Sequence, residues 1–304
     1  MVRHDDSGDL RDQASRLRRM MAGDAEVDAA RRSAHALAVV SGKGGVGKTF
    51  VASNLAIALA ARGHRTILFD MDMGLANADI VLGVEPVGTW SDVLSGRRAL
   101  DEIIVEAPGH VSFVPGCSGV TELANLSEFE RHRLLAAMRR VEARYDVMVL
   151  DCGAGISRNV VAVADLADTV LVLATPEPTA LTDAYAMIKT FAQERQWGSS
   201  DRAALASIGL VVNNAISRRE GRDTYERLAG VAARFLHLPV ADLGYILRDD
   251  HVPAAVRQRR PVILGYPRCS ASSCLLALAG RLSREMGRPE ASQSLFYRVI
   301  NLFV

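Results

Sequence analysis

The chain has 304 residues, is 49% hydrophobic but only 5% aromatic, and sets 36 basic residues against 35 acidic ones for a formal net charge of +1. That length allows one large α/β domain or two small ones around an aliphatic core, and the balanced charge gives no global pull toward nucleic acid or anionic lipid. Four cysteines are too few for a disulfide framework, Met1 to Ala25 is charged throughout and unlike a signal peptide, and no apolar run approaches the roughly 18 residues of a membrane span, so a reduced, cytosolic chain is expected.

Residues 1–34, rich in Arg, Asp and Ala, read as an appended arm before a nucleotide-binding domain at 35–288. Leu10, Ala14, Leu17 and Met21 recur at helical spacing with arginines between them. One short amphipathic helix is expected there, marginal alone and folding on a partner.

Ala36-Leu37-Ala38-Val39-Val40 is a continuous apolar run of the kind that makes a buried parallel strand. It leads into Ser41-Gly42-Lys43-Gly44-Gly45-Val46-Gly47-Lys48-Thr49, which holds two of the chain's three lysines; the other basic residues are all arginine. A chain that otherwise uses Arg keeps the compact ammonium here for a chemical task, which is holding phosphate. Beyond it, residues 50–60 place Val51, Leu55, Ala58 and Leu59 on one helical face. Gly42 to Thr49 fits the G-x-x-x-x-G-K-[ST] pattern between a strand and a helix. Glycines let the backbone turn its N–H groups inward, and the helix N-terminus adds partial positive charge. Lys48 is expected on the β- and γ-phosphates, and Thr49 on Mg²⁺.

Further apolar runs at 65–70, 111–115, 146–151, 168–174, 207–213 and 239–243 alternate with helical patterns at 128–143, 158–167, 180–195 and 222–236, and a last helix is expected at 272–286. This alternation predicts an α/β fold with a mostly parallel twisted sheet, helices on both faces and the ligand at the carboxyl ends of the strands. Two runs end in acids there, Asp70-Met71-Asp72 and Asp151. Asp70 and Asp151 are placed to help hold the metal, Asp72 to orient an attacking water, and the Gly155 N–H to sense the γ-phosphate. Asn213 and Asn214 end another strand, where one of them could exchange hydrogen bonds with an adenine edge; a guanine site of the Asn-Lys-x-Asp type is absent. Arg218, Arg219 and Arg222 cluster in a predicted loop where a DNA-phosphate contact is conceivable. Cys269 and Cys274 have the wrong spacing for a zinc knuckle and are read as helix packing. After Gly287-Arg288-Pro289, Leu295, Phe296, Val299, Leu302 and Phe303 share one face of an amphipathic helix in a tail spanning 289–304. That face needs a cover, either lipid or a groove on the protein, and Arg298 is its only basic residue.

Lys43-Gly44-Gly45-Val46-Gly47-Lys48-Thr49 resembles the deviant Walker A loop of the MinD/ParA class of P-loop ATPases, whose extra early lysine is its signature. The stretches 70–79, 151–157 and 175–185 look like motifs of the FlhG branch, also called FleN or YlxH, which controls flagellar number and placement. The match spans residues 36–287, with three departures: Leu247 where relatives carry proline, Phe50 after the loop and Cys152 after the acid. The resemblance implies slow Mg²⁺-dependent ATP hydrolysis and an ATP-bound homodimer in which Lys43 crosses to the other subunit's phosphates. Lys43, Lys48 and Asp72 would be catalytic, and Gly42, Lys43, Gly44, Gly45, Val46, Gly47, Lys48, Thr49, Phe50, Gly155, Asn213 and Asn214 would bind the nucleotide. Asp12, Gln13, Ala14, Leu17 and Arg18 would form an arm that stimulates an FlhF-type GTPase, and a FleQ-type transcriptional activator would be a further partner. The C-terminal helix would dock the otherwise cytoplasmic protein on the inner face of the cell membrane. Rivals are a ParA-like DNA segregation ATPase, a septum-site MinD-type regulator and an iron–sulfur carrier; DNA is not an expected partner, and the cysteine spacing argues against the carrier.

Overall fold

A computed structural model of the chain describes residues 34–72, 76–116, 128–165, 167–198 and 207–286. The helix expected in the arm and the C-terminal amphipathic helix lie outside them. The strands are β1 (His35–Ser41), β2 (Thr66–Met71), β3 (Val105–Ala107), β4 (Val111–Val114), β5 (Val147–Ala154), β6 (Thr169–Ala174), β7 (Ser207–Ala215) and β8 (Ala241–Leu247). They form one sheet in the order β3-β4-β2-β5-β1-β6-β7-β8. Every neighbouring pair is parallel except β3 with β4. The described helices are α1 (Lys48–Ala60), α2 (Ala78–Leu82), α3 (Trp90–Leu94), α4 (Leu100–Ile103), α5 (Glu128–Glu142), α6 (Arg158–Asp165), α7 (Pro178–Gly198), α8 (Arg218–Leu236), α9 (His251–Arg257), α10 (Val262–Gly265) and α11 (Ser270–Glu285).

The continuous apolar strands follow from coverage of both faces. Along β1, Ala36, Ala38 and Val40 join the core beneath α5 to α8, while Leu37 and Val39 join the core beneath α1, α10 and α11. The period-two alternation of side chains therefore feeds two cores, and a polar residue on either face would be buried. The apolar face expected on α1, with Val51, Leu55, Ala58 and Leu59, is buried, and burial extends around the helix to Ala52, Ser53, Asn54 and Ala56. This helix lies between the sheet and α11, and Asn54 accepts a hydrogen bond from the Ile263 N–H at 3.1 Å.

Two other expectations shift. The last strand, expected at 239–243, runs from Ala241 to Leu247. Pro239 has no N–H to offer the ladder, and Gly244, with φ +99°, makes a bulge where the register slips against β7. Arg218, Arg219 and Arg222 sit on the first turns of α8 rather than in a loop, interleaved with Glu220 and Asp223. Arg219 pairs with Asp223 at 3.5 Å. The segment is a mixed-charge helix surface, not a coherent basic patch.

Candidate functional site

β1 runs between β5 and β6 at the point where the strand order reverses, so the loop that leaves it opens into the crevice where such sheets bind ligands. Gly45 and Gly47 adopt φ +80° and +93°, a backbone that side chains resist. A Cβ at Gly42 would collide with the Asp183 carbonyl of α7, and one at Gly47 would lie 2.5 Å from Asn213 Nδ2. The loop is thus seated between α7 and β7, and its glycines make that approach possible.

The two lysines of the loop face different surroundings. Lys48, on the first turn of α1, is 8% exposed, and its charge is felt by Asp151. Lys43 is exposed, and its Nζ donates to Thr179 Oγ1 at 3.3 Å. The Ser41 hydroxyl donates to the Lys43 carbonyl at 2.7 Å, which fixes the backbone under that side chain.

Asp70 and Asp151 are register partners on β2 and β5. Both are 1% exposed, yet their environments differ. Asp70 accepts from the backbone amides of Asp72, Asn77 and Ala78 at 3.1, 3.0 and 3.1 Å. Burial raises its pKa and these amides oppose the rise. Its carboxylate therefore anchors the turn after β2 beside Asp151. Neither oxygen of Asp151 has a hydrogen-bond partner. Burial pushes this carboxyl up to about 7; the Thr49 hydroxyl lies near enough to oppose the rise without reaching hydrogen-bonding geometry, Lys48 opposes it too, and Asp70 and Asp72 add to it. A buried carboxylate without donors is costly, and a divalent cation held with the Thr49 hydroxyl would satisfy it. The residues present thus fit Mg²⁺. Asp72 lies against the β5 tip, where a Cβ on Gly153 would be 3.6 Å from its Oδ1.

One further expectation changes. The Gly155 N–H donates to the Ser41 carbonyl at 3.0 Å, so it closes the β1–β5 ladder rather than waiting for a phosphate. Asn213 is 9% exposed and donates from Nδ2 to the Val46 carbonyl at 2.8 Å. It ties the phosphate loop to β7 through its Nδ2 while lining the same cleft. Asn214, exposed with φ +59°, lines the cleft beside it. That cleft, about 670 Å³, has the loop as floor and Phe50, Leu247, Val252 and Pro253 among its walls. Sequence reasoning did not single out the wall at 252–253, though a proline beside β-branched residues after a strand is the signal that could have marked it.

Residues 37–262 match the family described as the CobQ/CobB/MinD/ParA nucleotide binding domain. The chain is 38% identical over 246 residues to the antiactivator FleN of Pseudomonas aeruginosa, covering 81% of this chain and 85% of that protein. It is 34% identical over 247 residues to the flagellum site-determining protein YlxH of Helicobacter pylori, covering 81% of each. Among solved structures it is similar to the cell division ATPase MinD of Pyrococcus furiosus, with a TM-score of 0.62, 26% identity and coverage of 83% of this chain and 99% of that one.

Proposed function

The chain belongs to the CobQ/CobB/MinD/ParA nucleotide-binding family, in its FleN/YlxH branch, and from that premise we propose that it is an ATP-driven dimerising switch that sets flagellar number or placement. Its reaction is Mg²⁺-dependent ATP hydrolysis. The loop amides of residues 44–49 cradle the phosphates, and Lys48 neutralises charge between the β- and γ-groups. Thr49 and Asp151 hold Mg²⁺, which supplies charge neutralisation and orientation. Asp72 turns the attacking water, Asn214 faces the base, and Phe50 packs beside it.

The observation that carries this reading is the division of roles between the two lysines. One is buried beside Asp151, while the other is exposed on Thr179. A cation that is surplus to its own site and exposed at the surface can neutralise γ-phosphate charge of a second subunit, so nucleotide state becomes association state. The finer roles follow from the branch. The arm bearing Asp12, Gln13, Ala14, Leu17 and Arg18 stimulates an FlhF-type GTPase. A FleQ-type activator is bound, in keeping with a relative that is an antiactivator. The face with Leu295, Phe296, Val299, Leu302 and Phe303 docks on the membrane.

Size-exclusion chromatography with ADP and then ATP tests the switch. Asp72→Ala is expected to form stable dimers in ATP, and Lys43→Ala to remain monomeric. A Lys43→Ala protein that pairs as tightly as wild type in saturating ATP would refute the role given to that lysine.

A further inference from the structure

The turn after β8 and the turn before α11 meet at the lip of the nucleotide cleft. Asp249, His251 and Cys269 each bring one ligand atom there, all within 4.8 Å of one another. From this juxtaposition we propose that Asp249, His251 and Cys269 form a second cation site, separate from the Mg²⁺ position at Thr49 and Asp151, that takes a late first-row transition ion of the Zn²⁺ class with a fourth position open to water.

The donor set selects the ion. Imidazole, thiolate and carboxylate together suit Zn²⁺ and its Co²⁺ surrogate, whereas Mg²⁺ and Ca²⁺ demand oxygen. One carboxylate and one thiolate beside a neutral imidazole sum to two negative charges, which balance a divalent cation. Binding releases the thiol proton to solvent and shifts the imidazole proton from Nδ1, where it faces Asp249, to Nε2.

The surroundings hold the three groups in place. His251 Nδ1 lies 2.7 Å from Asp249 Oδ1, and the Tyr266 ring packs against the imidazole with centroids 4.6 Å apart. The Ala271 N–H donates to Asp249 Oδ2 at 3.2 Å, and the His251 N–H to Oδ1 at 3.0 Å. Cys269 Sγ accepts from the Ser272 N–H at 3.4 Å and caps α11, so its rotamer points out of the helix toward the other two. The contacts from Tyr266, Ala271 and Ser272 are of the outer kind that orients metal ligands. Cys152 cannot substitute, being fully buried with its thiol pushed far up by desolvation. A metal here would bridge the lip of the cleft to the N-terminus of α11.

The test is Co²⁺ titration of the full chain, without a polyhistidine tag and in excess Mg²⁺, followed by the thiolate-to-cobalt charge-transfer band and by competition with a chromophoric chelator. One equivalent is expected to bind with the band present. Cys269→Ser, which keeps an acceptor at the helix cap, abolishes the band, while Cys274→Ser retains it. His251→Gln weakens binding at least tenfold. Absence of the band in the wild type, its survival in Cys269→Ser or its loss in Cys274→Ser would overturn the site and leave these contacts as helix capping alone.

Discussion

Replacing Asp151 by Asn should stabilise the nucleotide-free protein in a pH-dependent way. The native carboxyl titrates near 7 against an ordinary value of 3.8 because it is buried. Well below pH 3.8 both folded and unfolded chains keep the proton, and the group costs nothing. As pH rises, the unfolded chain releases its proton first, so stability falls until the native carboxyl ionises near 7. At about 1.4 kcal/mol for each pH unit of separation, the loss at pH 8 is about 4 kcal/mol at most. Asn does not titrate and has nearly the same shape. Urea unfolding of nucleotide- and Mg²⁺-free protein, followed by circular dichroism, should place Asp151→Asn about 1 kcal/mol above wild type at pH 4.5 and roughly 2–4 kcal/mol above it at pH 8. Saturating Mg²⁺-nucleotide should reverse the order, since only the wild type gains the full linkage from binding. A stability difference that is the same at both pH values would refute the reasoning, because it would mean that the carboxylate is not desolvated.

Asn213→Ala removes the amide that holds the Val46 carbonyl, and isothermal titration should show nucleotide affinity reduced by about 1–2 kcal/mol with the fold retained. His35 is held neutral, its pKa lowered by burial against the raising effect of Asp168, so the stability it confers is full above about pH 6.5 and is lost as pH falls through its lower folded value. His35→Gln should flatten the acid limb of a thermal-melt series, and an unchanged limb would contradict that role. Deleting residues 292–304 should reduce ATP-dependent co-sedimentation with liposomes severalfold; equal sedimentation of both proteins would remove the anchoring role. Deleting residues 1–25 should abolish stimulation of the partner GTPase in a phosphate-release assay.

The sheet was legible where burial on both faces writes itself as an unbroken apolar run. β1, β2, β5 and β6 begin within one residue of expectation for that reason, whereas β3 is three residues long with an exposed Glu106 and leaves no run to see. β8 was misplaced because Gly244 reads as a stop, and only pairing with β7 turns it into a bulge. In the site, the loop from Gly42 to Thr49 announces itself by spacing, and so do the acids at strand tips. What the tips do depends on contacts that spacing does not carry. Asp70 is bound by three amides, its register partner Asp151 by none. Cys269 was weighed against the nearest cysteine in sequence, although its neighbours in space come from a turn about twenty residues earlier.

The bond from Asn213 to the Val46 carbonyl makes the end of β7 and the phosphate loop a single mechanical piece. Anyone seeking to retune base preference would naturally graft a new loop after β7, and such grafts should tolerate change from Asn214 onward. Exchange of the preceding side chain would instead loosen the phosphate grip, so a chimera cut one residue too early would hold any nucleotide more weakly rather than acquire a different one.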